Sequence, residues 1–528
     1  MTSSNLAANV PAVDPVTGRS PRVCPLDLRP LEEVPDAKPE DVRRAVELAR
    51  RAAEGWAGRS IADRAAALRK AAKAMLARTD EVLALVKDEM GKLECEGLFN
   101  EALGHLDMLE AWVGVVEKGA GREKIRMNPL KFLGKSAHID LVPRGVIGII
   151  APWNFPIAGL YRSIYPALLT GNGVVLKPSE HTPRSSQWFA DALAQELPDG
   201  LISVVHGAGG VGQALIEAGI DACVFTGSTT AGKLVQVRCA ERGIPCSVEM
   251  GGKDMAIVLA DCDLDRTCAG LTHWALANVG QSCGALEVAL VEETIADELV
   301  SRLQRAWEHL KIGPAEHADL SPLANRKQFE VVVAQVEDAR QKGARILCGG
   351  KPTGVGFFYP ATLIDRCTEE MAVVKDETFG PVLAIVRVAS AAEAVRVIKR
   401  CRYGLGASIW TKDVERAAKL AEQVDAGVVV VNNHSFTGAV PELPWSGTKD
   451  TGFGIANSHH ALLTFCRPRA VVVDKSSGPE PFWMPFDRDL AEMGRLLIDA
   501  QLFKVERAWK LPLLMRRRAK TIKEFFRR

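Results

Sequence analysis

One of the chain's 12 cysteines sits in unusual company, Ala277-Asn-Val-Gly-Gln-Ser-Cys-Gly-Ala-Leu-Glu-Val288. A cysteine that only packs prefers Val, Ile or Leu around it. Cys283 has Ser282 and Gly284 beside it and a Gly-Gln pair just before, so its sulfur is open to approach. A deprotonated thiol is a strong nucleophile, which makes Cys283 a candidate for covalent catalysis. Glu249 ends an apolar run and precedes Met250-Gly-Gly-Lys253. A carboxylate beside two glycines has room for a water or substrate, as a general base requires. Asn154, in Ala151-Pro-Trp-Asn-Phe-Pro156, follows another apolar run and offers an amide N–H at the mouth of a sheet. Each residue also has a plain structural reading, as a free thiol, a turn residue or a cap.

A second group could hold a nucleotide. Gly207-Ala-Gly209-Gly210-Val-Gly212 has the spelling of a dinucleotide fingerprint. It follows the third strand of its series, however, and no acidic residue ends a following strand at the right distance. Gly227-Ser-Thr-Thr-Ala-Gly232 also joins a strand to a helix. There, backbone N–H groups and the Ser228 hydroxyl can face a pyrophosphate. Lys177-Pro-Ser-Glu180 lies at the carboxyl end of the strand GVVLK, where parallel sheets bind ligands and where Lys177 and Glu180 could hold ribose hydroxyls. A tight turn is the competing reading for each.

These residues need elements to position them. Residues 39–118 read as helices, with apolar positions recurring at three- and four-residue steps. From 145 to 250, strands at 145–150, 173–177, 201–205, 222–225 and 244–250 alternate with helices at 157–170, 182–196, 210–218 and 229–241. Short apolar strands separated by helices predict a parallel, doubly wound sheet. A second α/β series runs from 256 to 431. It has strands at 256–259, 286–292, 345–348, 382–388, 406–410 and 427–431, and helices at 264–279, 295–310, 325–343, 390–401 and 412–425. The first of these helices is expected to run to Gly280, which places Cys283 just beyond a helix C-terminus, a field that disfavours a thiolate. Residues 434–454 read as loop and 469–473 as a late strand.

A length of 528 residues implies two or three domains. No apolar run reaches the roughly 18 residues that span a bilayer. The start, MTSSNLAANVPAVDP, lacks a basic region followed by an apolar stretch, so no secretory signal is expected. No CxxC pair or Cys/His ladder occurs, so free thiols in a cytoplasmic setting fit, with no metal site and no nucleic-acid partner. The net charge of +1 hides an asymmetry: residues 501–528 hold ten Lys/Arg and two Asp/Glu, a balance of +8, whereas the rest balances at −7.

In sequence order stand GIIAPWNFP, LKPSE, FTGSTTAGK, VEMGGKD, GQSC, KDETFGPVLAI and PWSGTKDTGFG. With these seven motifs the chain resembles the aldehyde dehydrogenase superfamily over residues 12–474. The resemblance implies a Rossmann-type cofactor domain (1–123 and 144–250), an α/β catalytic domain (251–450), a small β oligomerisation element (124–143 and 451–474) and a helical C-terminal extension (475–528). It implies Cys283 as nucleophile, Glu249 as general base, with Met250 where the motif has Leu, and Asn154 as oxyanion donor together with the Cys283 N–H. Lys177 and Glu180 match adenine-ribose contacts, and Ser228 in the Gly227 turn a pyrophosphate contact. Glu377 and Phe379 match the nicotinamide-ribose clamp and its packing partner. Trp153 lines the same pocket, with Gly251 and Gly207 near the cofactor, so that the 207–212 pattern is not the phosphate turn. The implied reaction oxidises an aldehyde through a cysteine-bound thioester with NAD, or NADP as second candidate, in a homodimer or homotetramer. Glu180 favours NAD. Acyl transfer to coenzyme A and a non-catalytic role are the alternatives. Three positions depart from the pattern: Val288 where many relatives have Arg, and Ser163 and Ile455-Ala456 where many have the Lys and Glu of a proton relay.

The extension carries its own signal. Leu511, Leu514, Met515, Ala519, Ile522, Phe525 and Phe526 recur at helical spacing, with Arg516, Arg517, Lys520, Lys523 and Arg527 between them and Phe503 and Trp509 upstream. A basic amphipathic helix suits an anionic bilayer surface. Docking on the protein's own acidic body or on another subunit is the alternative. Pro481-Phe-Trp-Met-Pro-Phe486 is aromatic enough to cover an apolar site. The extension is similar to that of membrane-associated fatty aldehyde dehydrogenases, which implies an apolar, long-chain aldehyde and a peripheral location on the cytoplasmic membrane face.

Overall fold

A computed structural model describes residues 21–128, 132, 134–315 and 317–527. The N-terminal stretch read for a secretory signal and parts of the 1–123 and 124–143 spans lie outside them. The chain forms two compact units. The larger comprises the described residues up to Gly121 together with Leu141–Arg467, and the smaller comprises Arg122–Asp140 and the chain from Pro468 onward.

In the larger unit a five-stranded parallel sheet has the order Ile202–Val204, Gly173–Lys177, Val146–Ile150, Ala222–Thr226, Cys246–Glu249. Every residue of Val146–Ile150 and of Gly173–Lys177 is buried, because helices cover both faces. Strand order reverses at Val146–Ile150, which opens a crevice at the carboxyl ends. The loop carrying Trp153 and Asn154 leaves the sheet there.

A seven-stranded sheet has the order Arg345–Cys348, Thr362–Asp365, Val382–Val388, Leu286–Glu292, Asp254–Val258, Gly406–Trp410, Val428–Val431. All its neighbours are parallel except the first pair. Thr362–Asp365 was not anticipated, since four residues are too short to display a period. The loop 434–454 contains a short 3-10 turn, Phe436–Ala439, and a two-residue strand, Thr448–Lys449, that pairs with Tyr403–Gly404.

The helix expected over 264–279 stops at Leu276. A turn over Ala277–Gly280 follows, in which Asn278 and Val279 adopt left-handed backbone at φ 54° and 57° and Gly280 at 69°. The nucleophile candidate therefore follows a left-handed reversal of the chain and not the helix end itself.

The smaller unit has a three-stranded sheet in the order Glu123–Ile125, Lys135–Pro143, Cys466–Asp474, the middle strand continuing into the larger unit. Its tail is a helical hairpin of Arg488–Gln501 and Leu511–Phe525. The first of these helices is an addition to the sequence reading, although Asp487 caps it and Leu490, Met493 and Leu496 mark its inner face. Leu514 and Ile522 are buried, whereas Met515, Phe525 and Phe526 stay exposed. Arg518 is fully buried, donating to the Pro481 carbonyl at 3.1 Å and to Asp487 at 2.7 Å, so one cation of the tail serves the hairpin itself.

Candidate active site

Three chain segments converge on one cavity of about 830 Å³ within the larger unit. Asn154 reaches it from the loop after Val146–Ile150, Glu249 from the last position of Cys246–Glu249, and Cys283 from the segment leading into Leu286–Glu292. Trp153, Lys177, Glu180, Gly227, Ser228, Gly251, Glu377 and Phe379 line the same space. Gly207 does not. A Cβ there would fall 2.3 Å from Val211 Cγ2 and 3.0 Å from Asp36, and its φ is +143°, so this glycine makes a close turn while Gly209 and Gly212 of the same pattern face the cavity.

Hydrogen bonds hold the nucleophile segment. Asn278 Nδ2 donates to the carbonyls of Asn154 (3.2 Å) and Gln281 (2.9 Å), and Gln281 Oε1 accepts from Ala324 N at 2.8 Å. Asn154 Nδ2 donates to the Gln281 carbonyl at 3.1 Å. An amide nitrogen carries two protons, so a second donor of Asn154 remains for a substrate oxygen. Left-handed backbone at non-glycine residues costs about 1–3 kcal/mol each and persists only where the surroundings enforce it, as this network does.

Electrostatics divide the roles. Glu249 and Cys283 keep part of their surface open, as cavity-lining groups do. Burial pushes the Glu249 carboxyl up to about 7, a value suited to a base, against the lowering influence of Arg162. Burial, reinforced by Glu249, pushes the Cys283 thiol up to about 12, again opposed by Arg162. Glu377 is raised to about 8 by burial and by nearby Glu287, although Gly252 N–H donates to it at 2.9 Å.

The cavity fits a dinucleotide. Its wall includes the N-terminus of the 13-residue helix Thr229–Glu241, where Ser228 is the cap and unpaired N–H groups suit a phosphate. A Cβ on Gly251 would lie 2.6 Å from Glu377 Oε2, so the carboxylate rests directly on bare backbone. Trp153 and Phe379 meet edge to face at 5.4 Å.

Sequence reasoning missed several residues. Glu287 accepts from Thr378 N and Phe379 N at 2.8 Å each and pairs with buried Lys253, so it shapes the Glu377–Phe379 turn. A glutamate inside the apolar strand LEVALVE was the available signal. Arg162 also lines the cavity without any motif to mark it, and Trp445, inside the motif PWSGTKDTGFG, was not singled out. Of the three departures, Ser163, Ile455 and Ala456 face the cavity, while Val288 is core.

Comparison with known proteins identifies the family. The family model described as the aldehyde dehydrogenase family matches residues 13–471, and the chain belongs to that family. It is thereby an oxidoreductase that oxidises aldehydes with a nicotinamide dinucleotide. It is 34% identical over 466 residues to a 4,4'-diapolycopene aldehyde oxidase of Methylomonas sp., covering 88% of each chain. It is 34% identical over 454 residues to a phenylacetaldehyde dehydrogenase of Pseudomonas fluorescens, covering 84% of this chain and 90% of the relative. A Mycobacterium tuberculosis aldehyde dehydrogenase solved with NAD+ superposes with a TM-score of 0.81 at 31% identity, over 86% of this chain and 95% of that one.

Proposed function

We propose that the chain oxidises an apolar aldehyde to the carboxylic acid, with Cys283 as nucleophile, Asn154 as oxyanion donor and Glu249 as general base. The observation that carries this reading is the meeting of all three in one cavity that also holds the candidate cofactor residues. The Cys283 thiolate forms a C–S bond to the carbonyl carbon. Charge then moves to oxygen, where the Asn154 amide and the Cys283 N–H receive it. One such donor typically lowers a barrier by about 3 kcal/mol. Lys177 and Glu180 would hold the ribose of NAD(P), the Ser228 turn its phosphates and Glu377 and Phe379 its nicotinamide end, and the cofactor so held would supply the acceptor for the hydride. An acyl group then remains on Cys283. Glu249 takes a proton from water, the hydroxide oxygen adds to the thioester carbon, and the C–S bond breaks to return the thiolate.

The aromatic walls of the cavity, Phe99, Phe155, Trp274 and Trp445, support an apolar substrate. Glu180 supports NAD over NADP, because its carboxylate would repel a 2′-phosphate. The exposed strand Cys466–Asp474, at a sheet edge with Val472 and Val473 open, supports a homodimer or homotetramer. A steady-state panel of straight-chain and aromatic aldehydes with NAD and NADP tests the reading. NAD(P)H formation that rises with chain length, and a Cys283→Ala variant reduced to background, are expected. Full turnover by Cys283→Ala would sink it.

The tail supports a peripheral contact with anionic membrane. Phe503 is 92% exposed, and Trp509, Phe525 and Phe526 are exposed on the same hairpin, interspersed with Lys and Arg. Such a surface gains from both apolar insertion and anionic headgroups.

A further inference from the structure

We propose that a buried pair, His434 with Asp254, holds the two segments that pack against Cys283 and Gly284, and so sets how fast the nucleophile is acylated. The inference rests on the reading of Cys283 as nucleophile. It assigns His434 and Asp254 a positioning role, since neither is among the residues lining the cavity.

Both residues are sealed from water. His434 Nε2 stands 3.4 Å from Asp254 Oδ2, and neither atom has a hydrogen-bond partner elsewhere among the described residues. The surrounding network assigns the tautomer. Ser408 Oγ accepts from the Trp410 indole N–H at 3.0 Å and lies 3.0 Å from His434 Nδ1. The Ser408 proton is thus free for Nδ1, which leaves the imidazole proton on Nε2, facing the carboxylate. The other carboxylate oxygen, Oδ1, accepts from Gly406 N at 2.8 Å. Trp410, Ser408, His434, Asp254 and Gly406 therefore form one dry chain of donors and acceptors. Such a chain is costly to break from one side, because the group left behind has no water to turn to.

Both halves of the pair reach the nucleophile through their neighbours. Next to His434, Ser435 has left-handed backbone at φ 47°, a conformation that its surroundings must enforce. A Cβ on Gly284 would lie 2.3 Å from Ser435 Oγ and 2.8 Å from the Trp445 ring, so this segment rests directly on the residue after Cys283. On the other side of His434, Asn433 Oδ1 accepts from His434 N and from the Trp274 indole, each at 2.8 Å, and the Trp274 and imidazole rings meet edge to face at 6.1 Å. Trp274 and Ser435, which both line the cavity, are thus placed by where the imidazole stands. From Asp254, the bond to Gly406 fixes Leu405, which packs with Cys283. A Cβ on Gly252 would lie 2.4 Å from the Cys283 carbonyl oxygen and 3.3 Å from Asp254 Oδ1, so one bare residue fits between the carboxylate and the nucleophile's own backbone. A shift of about 1 Å at a reacting atom can cost on the order of 100-fold in rate, which gives a remote clamp of this kind its leverage.

The test is the stopped-flow NADH burst of the full-length protein at saturating NAD and aldehyde, for wild type, His434→Phe and His434→Gln, with thermal midpoint and NAD affinity measured alongside. His434→Phe keeps a ring of similar size and removes both nitrogens, so the burst should slow about tenfold or more. The dissociation constant for NAD should stay within about twofold, because the cofactor residues lie outside the network. In His434→Gln an amide N–H can reach Asp254 as Nε2 does, and the burst should return to within about threefold of wild type. A pair that served stability alone would lower the midpoint and leave the burst of the folded protein unchanged, and that result would overturn the proposal. A His434→Gln burst as slow as that of His434→Phe would also overturn it, since hydrogen bonding would then not be what the position supplies. Should His434→Phe not fold, Ser408→Ala decides, because it deletes only the hydroxyl that orients the imidazole: a burst slowed about threefold or more supports the proposal, and an unchanged one overturns it. Turnover retained by Cys283→Ala would sink the nucleophile reading instead, an outcome that none of these variants can produce.

Discussion

Glu249 is the residue whose chemistry can be separated most cleanly from the rest. Replacing it with Gln should leave the first turnover intact, since thiohemiacetal formation and hydride loss do not use it. Hydrolysis of the acyl-enzyme should slow by about 10²–10⁴-fold. A stopped-flow trace would then show a full NADH burst followed by a nearly flat steady state. The pH profile follows from the same group: burial lifts its carboxyl to about 7, and the base works only when ionised, so deacylation should rise with pH through about 7 and level off above. A deacylation limb near the ordinary carboxylate range, around pH 4–5, would contradict the assignment. At the other end of the cavity, Glu180 lies 3.8 Å from Lys177, with its carboxylate exposed. Glu180→Gln removes the charge that repels a 2′-phosphate. KM for NADP should fall relative to KM for NAD by about fivefold, as measured with both cofactors at saturating aldehyde, since a single surface-exposed charge contributes roughly 1 kcal/mol.

Two elements set the precision of the site. The first is the left-handed turn before the nucleophile. A Cβ on Gly280 would lie 2.1 Å from the Gly380 carbonyl oxygen, and φ is +69° there, so Gly280→Ala meets both a backbone clash and a forbidden conformation. A loss of about 2 kcal/mol or more is expected by denaturant titration, together with a lower burst amplitude because Cys283 is displaced. Asn278→Ala should cost less, about 1–3 kcal/mol for its two buried hydrogen bonds, while weakening the tie that orients Asn154. The second element is the helix Ala158–Leu169. Glu101 and Lys92 are 0% and 1% exposed at their side chains, and Glu101 accepts from the N–H groups of Ile157 (3.0 Å) and Ala158 (2.9 Å), so Glu101→Ala strands a buried ammonium and uncaps this helix. Breaking a buried pair from one side typically costs about 3–5 kcal/mol, readable as a large drop in the thermal midpoint.

At the scale of the whole molecule, the larger unit holds the candidate site, and the smaller one carries a tail with several exposed aromatic side chains. The hairpin buries Met493, Leu496, Leu514 and Ile522 and leaves Phe503, Trp509, Phe525 and Phe526 outside. Because these four are exposed, replacing them together with Ser should leave folding and soluble-aldehyde turnover unchanged. Sedimentation with vesicles containing anionic lipid should fall several-fold, and neutral vesicles should bind neither form strongly. Equal sedimentation of both proteins would remove the membrane reading and leave subunit contact as the role of the surface.

The linear order of residues settled the two α/β series, the family and the identity of the catalytic candidates, because short apolar strands, glycine turns and reactive side chains leave local marks. It also marked the tail as amphipathic. Tertiary structure alone decided that Leu276, not Gly280, ends the helix before the nucleophile, since the left-handed turn there is enforced by contacts with Asn154 and Ala324, far away in sequence. It alone separated Gly207 from the cavity, brought Arg162 to its wall and set Glu287 behind the Glu377–Phe379 turn. It also revealed that half of the tail's apolar face is used inside a hairpin with a helix the period of the tail does not mention. The physical reason is common to all of these. Backbone propensity and side-chain chemistry are read a few residues at a time, whereas burial, charge coupling and steric contact depend on which distant segments the fold sets side by side.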